Sequence, residues 1–242
     1  MSPPYLSGAS RRSRFEGLIP KRTSREFVVR LLTWGSSHFS SFPWRTTQDP
    51  FRVLVAELLL RKTTRSQVSR IFPVFLEKYP SVDELGRARP SEVRKIIRSL
   101  GLARVRSTLL VRAARYLIGN RQGSIPKGRK DLLAIPGVGE YTANAVRCFA
   151  YGEDVGLVDT NSTRVVQRVF AVVSKRSRPR EDASLQNFVD SIIPKARSRE
   201  FNYAMLDLAG QICLPRNPKC RICPVNHICE YYSVHQTAPK RG

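Results

Sequence analysis

Four cysteines near the end of the chain have the residue type and spacing of a metal site. Cys213, Cys220, Cys223 and Cys229 are separated by six, two and five residues, and nearby prolines disfavour a continuous helix between them. Thiolates gathered by short, stiff loops bind iron-sulfur clusters or zinc. Zinc fits the number of ligands, but zinc ribbons usually contain two close cysteine pairs, and this segment has one. The spacing therefore predicts an all-cysteine metal site.

A carboxylate follows the apolar residues Leu157 and Val158, at the predicted start of a helix. Asp159 there suits two roles. It can cap the helix by accepting backbone N–H groups, or it can act as a fixed anion that stabilises developing positive charge or deprotonates an attacking water. Asn161 can orient that carboxylate, donate to a substrate, or cap the helix. The two roles of Asp159 and the three roles of Asn161 all remain open at this point.

A second carboxyl, Glu57, interrupts the apolar run from Val53 to Leu60. Burial disfavours the charged form of a carboxyl and raises its pKa, as a proton donor working near neutral pH requires. The alternative is a buried carboxyl satisfied by a basic partner. Sequence alone does not separate a catalytic from a structural glutamate here.

A glycine-rich turn at residues 135–139, read Ile-Pro-Gly-Val-Gly, precedes a predicted helix. The amides of Gly137, Val138 and Gly139 can approach a phosphate at a helix N-terminus, because glycine has no Cβ atom. An ordinary corner between two helices explains the same residues. Such a turn would bind the phosphate backbone of a nucleic acid and would not distinguish one base from another.

The elements that must position these residues are helices. Apolar residues recur at helical spacing from Phe27 onward, and no stretch alternates apolar and polar residues with the turn signals of a sheet. Breaks are predicted at Tyr79-Pro80, Arg89-Pro90, Gly101 and Gly119-Asn120. We predict an all-α fold with stripes formed by Val68, Ile71, Phe72, Phe75 and Leu76, by Val93, Ile96, Ile97 and Leu100, and by Leu185, Phe188, Val189, Ile192 and Ile193.

Charge identifies the class of partner. The chain of 242 residues has 42 Lys and Arg against 19 Asp and Glu, a net charge of +23, which favours a polyanion. No apolar run approaches the roughly 18 residues that span a bilayer. Nucleic acid is therefore the predicted partner, bound less tightly as salt rises. Disulfides are disfavoured in a protein that works on intracellular DNA.

The glycine-rich turn at residues 135–139, together with Asp159 and Arg164, resembles the signature of the endonuclease III branch of the helix-hairpin-helix DNA glycosylases. The cysteine spacing is similar to the [4Fe-4S] loop of that family, so the resemblance implies a [4Fe-4S] cluster on all four cysteines. It extends from about Phe27 to Tyr232. It implies two helical domains, with the helix-hairpin-helix motif in residues 46–152 and the cluster in residues 26–45 and 153–232.

The same resemblance places an active groove between the two domains, with Tyr141 and Asp159 on opposite walls. Outside the domains we predict a disordered basic arm at residues 1–25 and a tail at 233–242. The arm is Arg-rich and acid-poor, so an organellar transit peptide remains an alternative to a protein of the cytoplasm or nucleoid.

Tyr141 bears on the type of reaction. In bifunctional members of the family a lysine occupies this position, where its amine forms a Schiff base that permits strand cleavage, and a tyrosine cannot do so. The resemblance therefore implies a monofunctional enzyme without β-lyase activity. Tyrosine here is similar to the archaeal thymine-DNA glycosylases, whereas adenine glycosylases have a small residue. A packing role for Tyr141 is the alternative.

The helix around Glu57 resembles one in adenine and mismatch thymine glycosylases, where a glutamate lines the base pocket. Its basic ending, Arg61 and Lys62, is closer to the thymine enzymes, since adenine enzymes have glutamines there. By position, Arg61 is the candidate wedge that fills the vacated base stack. A phosphate contact is its alternative.

These features predict a base excision repair enzyme that flips out thymine or uracil mispaired with guanine and hydrolyses its N-glycosidic bond. Asp159 would stabilise the sugar cation or activate water, and Glu57 and Tyr141 would contact the flipped base. The expected partner is double-stranded DNA with a mismatched or damaged base, bound by a monomer without a membrane.

Two other functions remain possible. An adenine DNA glycosylase acting opposite guanine or 8-oxoguanine is supported by Glu57 and by residues 42–44, read Phe-Pro-Trp. The end of the chain shortly after the cysteines leaves no room for the additional domain expected of such an enzyme. A DNA-binding protein without catalysis would need the hairpin and the cluster but not Asp159.

Overall fold

The structure, a computed structural model, describes residues 19–237, and these residues form helices and short 3-10 turns without a strand. The predicted all-α fold is confirmed. None of the helices in this range combines the length and hydropathy needed to cross a bilayer. The helices are α1 Lys21–His38, α2 Pro50–Leu60, α3 Arg65–Lys78, α4 Val82–Arg87, α5 Pro90–Ile96, α6 Ala103–Arg121, α7 Arg129–Leu133, α8 Glu140–Phe149, α9 Thr160–Phe170, α10 Ala183–Ile192, α11 Ser198–Gln211 and α12 Glu230–Thr237.

The apolar stripes predicted from spacing lie on α3, α10 and the region of α5, where their first residues Val68, Leu185 and Val93 are fully buried. The break predicted at Gly119-Asn120 is wrong, because α6 continues to Arg121. A glycine inside a helix costs only about 1 kcal/mol relative to alanine, and the buried Leu117 beside it anchors the helix. The helix ends instead at Gln122, whose φ is 51°.

The start of α1 also differs from the prediction. We assigned residues 1–25 to a disordered arm, but α1 begins at Lys21, so residues 21–25 are helical. Packing of Phe27 and Leu31 in the core stabilises the helix. Its first turn is basic and polar, so the sequence there shows no helical repeat of apolar residues from which the helix could be predicted. Residues 1–18 of the predicted arm, and residues 238–242 of the predicted tail, lie outside the described residues.

The chain divides into two units. The central unit runs from Ser40 to Val155 and contains α2 to α8, and the flanking unit contains the described residues on either side of it. Residues 40–45, which we assigned to the cluster domain, belong to the central unit, since the Trp44 ring packs edge-on against Phe72 at 5.9 Å between ring centroids. Residues 153–155 belong there as well, because Glu153 pairs with Arg147 at 2.7 Å.

Each unit has its own core. In the central unit, α2 packs against α8, and α4 and α5 pack against α6. In the flanking unit, Phe27 of α1 contacts Phe170 of α9 and Phe201 of α11, with ring centroids 5.1 and 6.3 Å apart. These aromatic contacts anchor the C-terminal end of α9. Asp159 is the N-cap residue at the opposite end of this helix.

Candidate active site and metal centre

Asp159 caps helix α9. Its Oδ1 accepts the backbone N–H groups of Asn161 and Ser162 at 2.8 and 2.7 Å, and its own N–H donates to the hydroxyl of Ser162 at 2.8 Å. These bonds use one carboxylate oxygen and fix the plane of the group. A capped carboxylate also gains from the positive end of the helix. The capping role is therefore present, and it leaves the second oxygen for other contacts.

The second oxygen is held by Asn161. Asp159 Oδ2 accepts a hydrogen bond from Asn161 Nδ2 at 2.9 Å, while Asn161 Oδ1 accepts one from the Arg164 guanidinium at 3.2 Å. Arg164 in turn donates to the carbonyls of Cys213 and Ala209 at 2.8 and 2.9 Å. Asn161 thus orients the carboxylate, and Arg164 connects that pair to the backbone at the first cysteine. Sequence reasoning assigned no role to Arg164.

The glycine-rich turn joins α7 to α8. Gly137 has a φ of 86°, and a Cβ atom there would lie 2.6 Å from the side chain of Leu109, so the fold itself requires this glycine. Gly139 has ordinary backbone angles, and a Cβ atom there would meet nothing within 4 Å. Val138 is buried and anchors the turn. Packing within the chain therefore does not require a glycine at position 139. The missing side chain leaves space in which a group from outside the chain can approach the backbone.

Glu57 and Tyr141 both lie in the central unit. Glu57 is 6% exposed on α2, so the predicted burial is confirmed. Tyr141 is the second residue of α8, directly after the glycine-rich turn, and is half-buried. Asp159 and Asn161 lie in the flanking unit. The capped carboxylate therefore belongs to a different unit from Glu57 and Tyr141.

The predicted wedge residue follows α2. Arg61 donates a hydrogen bond to the carbonyl of Gly137 at 3.1 Å, so its guanidinium is held at the glycine-rich turn. Lys62 is exposed and has a φ of 53°, in the left-handed region that a residue with a side chain rarely adopts. The two basic residues thus belong to a strained surface turn next to the glycine-rich turn.

The structure adds Leu102, which sequence reasoning missed. This leucine has a φ of 60° and is 58% exposed at the start of α6. A strained backbone and an exposed apolar side chain are both unfavourable, and their combination makes Leu102 a candidate functional residue. The sequence contained one signal of exposure at Leu102. This apolar residue directly follows the predicted break at Gly101 and lies outside the helical stripe that ends at Leu100.

The four cysteines of the flanking unit line one narrow pocket. Apolar side chains, among them Val169 and Leu208, form much of the remaining wall, and Arg168 and Asn226 complete it. In residues 19–237, no group of three or more His, Cys, Asp or Glu side chains has the arrangement expected around a metal ion. A cubane cluster holds its thiolates further apart than a single ion does, so a shared pocket is the relevant geometry for it.

Arg168 lies beside this pocket. Its guanidinium donates to Cys213 Sγ at 3.5 Å and to the carbonyl of Leu214 at 2.7 Å, and its own carbonyl accepts from Cys229 Sγ at 3.4 Å. Burial raises the pKa of the Cys223 thiol to about 12, with smaller contributions from the neighbouring cysteines. Burial therefore disfavours a free thiolate at Cys223, and a bound metal would favour the deprotonated form.

Comparison with known proteins agrees with these features. Residues 55–190, more than half of the chain, match the HhH-GPD superfamily of base excision DNA repair proteins. The chain belongs to this superfamily. The thymine/uracil-DNA glycosylase of Pyrobaculum aerophilum is 44% identical to it over 197 residues, which are 80% of this chain and 86% of that protein. The predicted resemblance is confirmed.

Adenine DNA glycosylases and solved structures are also similar to this chain. The adenine DNA glycosylase of Mycolicibacterium smegmatis is 34% identical over 85% of this chain and 69% of its own length. Among solved structures, a thermostable thymine-DNA glycosylase has a TM-score of 0.82 and 34% identity, covering 88% of this chain and 98% of its own. A non-covalent endonuclease III–DNA complex has a TM-score of 0.78 and 25% identity, with 91% and 100% coverage. This superfamily member therefore has the fold of proteins that bind DNA.

Proposed function

We propose that this chain is a monofunctional DNA glycosylase that hydrolyses the N-glycosidic bond of thymine or uracil mispaired with guanine. The observation that carries the proposal is the carboxylate of Asp159, which a helix terminus and Asn161 orient, and whose Oδ2 accepts one hydrogen bond from within the described residues. A carboxylate oxygen accepts two hydrogen bonds, so Oδ2 keeps room for a water or a sugar. The similarity to thymine/uracil-DNA glycosylases supports pyrimidines as the substrate.

The chemistry assigned to these residues follows from bond cleavage at the sugar. As the base leaves, positive charge grows on the sugar ring, and the Asp159 carboxylate stabilises it or takes a proton from the water that adds to the anomeric carbon. The departing base carries the electron pair of the broken bond, and a hydrogen bond from the Glu57 side chain lowers the energy of that anion. Tyr141 has no amine, so no Schiff base forms and the DNA strand remains intact.

DNA binding is assigned to the turns of the central unit. Gly139 allows a phosphate to approach the N-terminus of α8, where the orientation of the amide groups and the helix dipole favour an anion. Lys62, the exposed neighbour of Arg61, supplies a further positive charge. Arg61 and Leu102 are placed to fill the space that a flipped base leaves in the stack.

The proposal is tested with a panel of duplexes carrying T:G, U:G, adenine opposite 8-oxoguanine, and thymine glycol, each analysed with and without alkali. We expect strand breaks at T:G and U:G that require alkali treatment. Breaks without alkali would contradict a monofunctional reaction. Release of adenine alone would replace the thymine and uracil assignment with the adenine one, and no release from any duplex would leave a DNA-binding protein.

We further propose that Cys213, Cys220, Cys223 and Cys229 hold a [4Fe-4S] cluster. The residues fit this group, since all four line one pocket with apolar walls and Arg168 donates to the Cys213 sulfur. Hydrogen bonds to cluster sulfurs and a dry surrounding are the usual protein contribution to such a site. When bound, the cluster ties four points of the chain together and provides a redox centre; the proposed hydrolysis does not use it.

Metal analysis tests the cluster. We expect about four iron and four sulfide per chain in protein purified without oxygen, as the cluster formula requires. Cys220→Ser should lose most of that iron and lower the melting temperature, because a ligand that binds only the folded state stabilises it. Cys148→Ser is the matched control, since Cys148 is buried in the central unit and should leave the iron content unchanged. Four-cysteine protein that contains zinc and no iron would contradict the proposal.

A further inference from the structure

Two strained turns of the central unit lie side by side. Lys62, between α2 and α3, and Leu102, before α6, both have left-handed backbone angles, with φ of 53° and 60°. A Cβ atom at Gly101 would lie 3.9 Å from the carbonyl oxygen of Lys62. We call residues 61–63 the first turn and residues 100–102 the second turn. Their proximity means that one side chain can contact both.

That side chain is Arg106 on the first part of α6. Its Nη1 donates to the carbonyl of Gly101, and its Nη2 donates to the carbonyl of Arg61 and to the hydroxyl of Thr63, the latter at 2.8 Å. The backbone N–H of Arg106 donates to the carbonyl of Leu102 at 2.9 Å. One residue thus donates to two acceptors of the first turn through Nη2, and to two acceptors of the second turn through Nη1 and its backbone N–H.

The energetics of Arg106 argue against a simple packing role. It is 4% exposed, and among the described residues its guanidinium contacts carbonyl and hydroxyl oxygens but no carboxylate. Burial, and then the charge of Arg61, lower the pKa of Arg106. Burying a cation without an anion is costly, and an apolar side chain would fill the same space at lower cost. A planar group with several fixed donors, however, can hold carbonyls of two turns at a set spacing.

We propose that Arg106 is a positioning residue that sets the spacing of Arg61 and Leu102 so that both enter the DNA stack when the target nucleotide is flipped out. The proposal rests on the proposed glycosylase function. The hydrogen bond from Arg61 to the carbonyl of Gly137 extends the same arrangement to the glycine-rich turn. Arg106 contacts no substrate in this scheme, and it acts by holding two loops whose backbones are strained.

The test compares Arg106→Met with Arg115→Met in the full-length protein. Arg115 lies on the same helix and also donates to two carbonyls, those of Gly86 at 2.9 Å and Ala88 at 3.3 Å, away from both turns. Flipping is followed by the fluorescence of 2-aminopurine beside a target uracil in a U:G duplex, and excision by single-turnover rates. Melting temperatures show that each variant is folded.

We expect Arg106→Met to lower the flipping amplitude and the excision rate together by about tenfold, since small displacements of positioning groups have effects of this size. Arg115→Met should retain both, and Arg106→Lys should recover part of the loss. Equal effects of the two methionine variants, or slower excision with unchanged flipping, would overturn the proposal. Failure of the wild-type protein to excise any base would instead overturn the function on which it rests.

Discussion

Asp159→Asn is expected to reduce the rate of base excision by about 10³-fold, the order found when a fixed charge or a general base is removed from an active site. The substitution replaces one carboxylate oxygen with an amide and removes the negative charge. The remaining oxygen can still accept the N–H groups of Asn161 and Ser162 that the aspartate accepts at 2.8 and 2.7 Å. The loss is therefore chemical and not structural.

Stability provides the check on that interpretation. Asparagine and aspartate are about equally good N-caps, so the free energy of unfolding should change by less than about 0.5 kcal/mol. Asp49→Asn is the matched control, because Asp49 caps α2 in the same way, accepting the N–H of Phe51 at 2.8 Å. It should leave both stability and excision nearly unchanged. An Asp159→Asn enzyme with full single-turnover activity would show that the capping role is the whole role of Asp159.

Arg164→Met is expected to lower kcat by about 10- to 100-fold with little change in KM, as a misplaced catalytic group does. Arg164 holds Asn161 Oδ1 at 3.2 Å and the carbonyls of Cys213 and Ala209 at 2.8 and 2.9 Å. Without the guanidinium, Asn161 is free to turn and no longer fixes Asp159 Oδ2. Steady-state kinetics on a U:G duplex, with the melting temperature and iron content of the same preparation, measures the effect.

A double-mutant cycle separates positioning from general destabilisation. If Arg164 acts through Asn161, the combination of Arg164→Met with Asn161→Ala should be no slower than the worse single variant, because both changes break the same chain of contacts. Arg164→Lys should recover only part of the rate, since a lysine cannot hold three acceptors in one plane. Rate losses that multiply in the double variant would contradict this role and assign Arg164 to stability alone.

The parts of the fold that the sequence predicted are those governed by local periodicity. The stripe of Val68, Phe72 and Phe75 specifies α3, because only one face of that helix is apolar and must be buried. Local rules failed at two places. Gly119 lies inside α6, where tertiary packing outweighs its low helix propensity, and the polar first turn of α1 is helical because residues further along the helix are buried.

The candidate site divides in the same way. Asp159, Asn161, Glu57, the glycine-rich turn and the four cysteines were found from residue type and spacing, since each belongs to one continuous segment. Leu102 was missed because its signal is a backbone angle. Arg106 and Arg164 were given no role because their partners are distant in the sequence. Arg106 bonds to Arg61, and Arg164 bonds to Cys213.

The sequence by itself determined the all-helical fold, the superfamily, and the residue types that the chemistry needs, because helix periodicity, turn chemistry and ligand spacing are short-range properties of a chain. Only the tertiary structure decided how those residues are held. The position of an arginine in the sequence does not indicate what its side chain will contact. Whether a guanidinium faces solvent or donates to backbone carbonyls depends on which helices pack beside it. The orientation of Asp159 and the spacing of the two strained turns therefore follow from contacts between segments far apart in the chain.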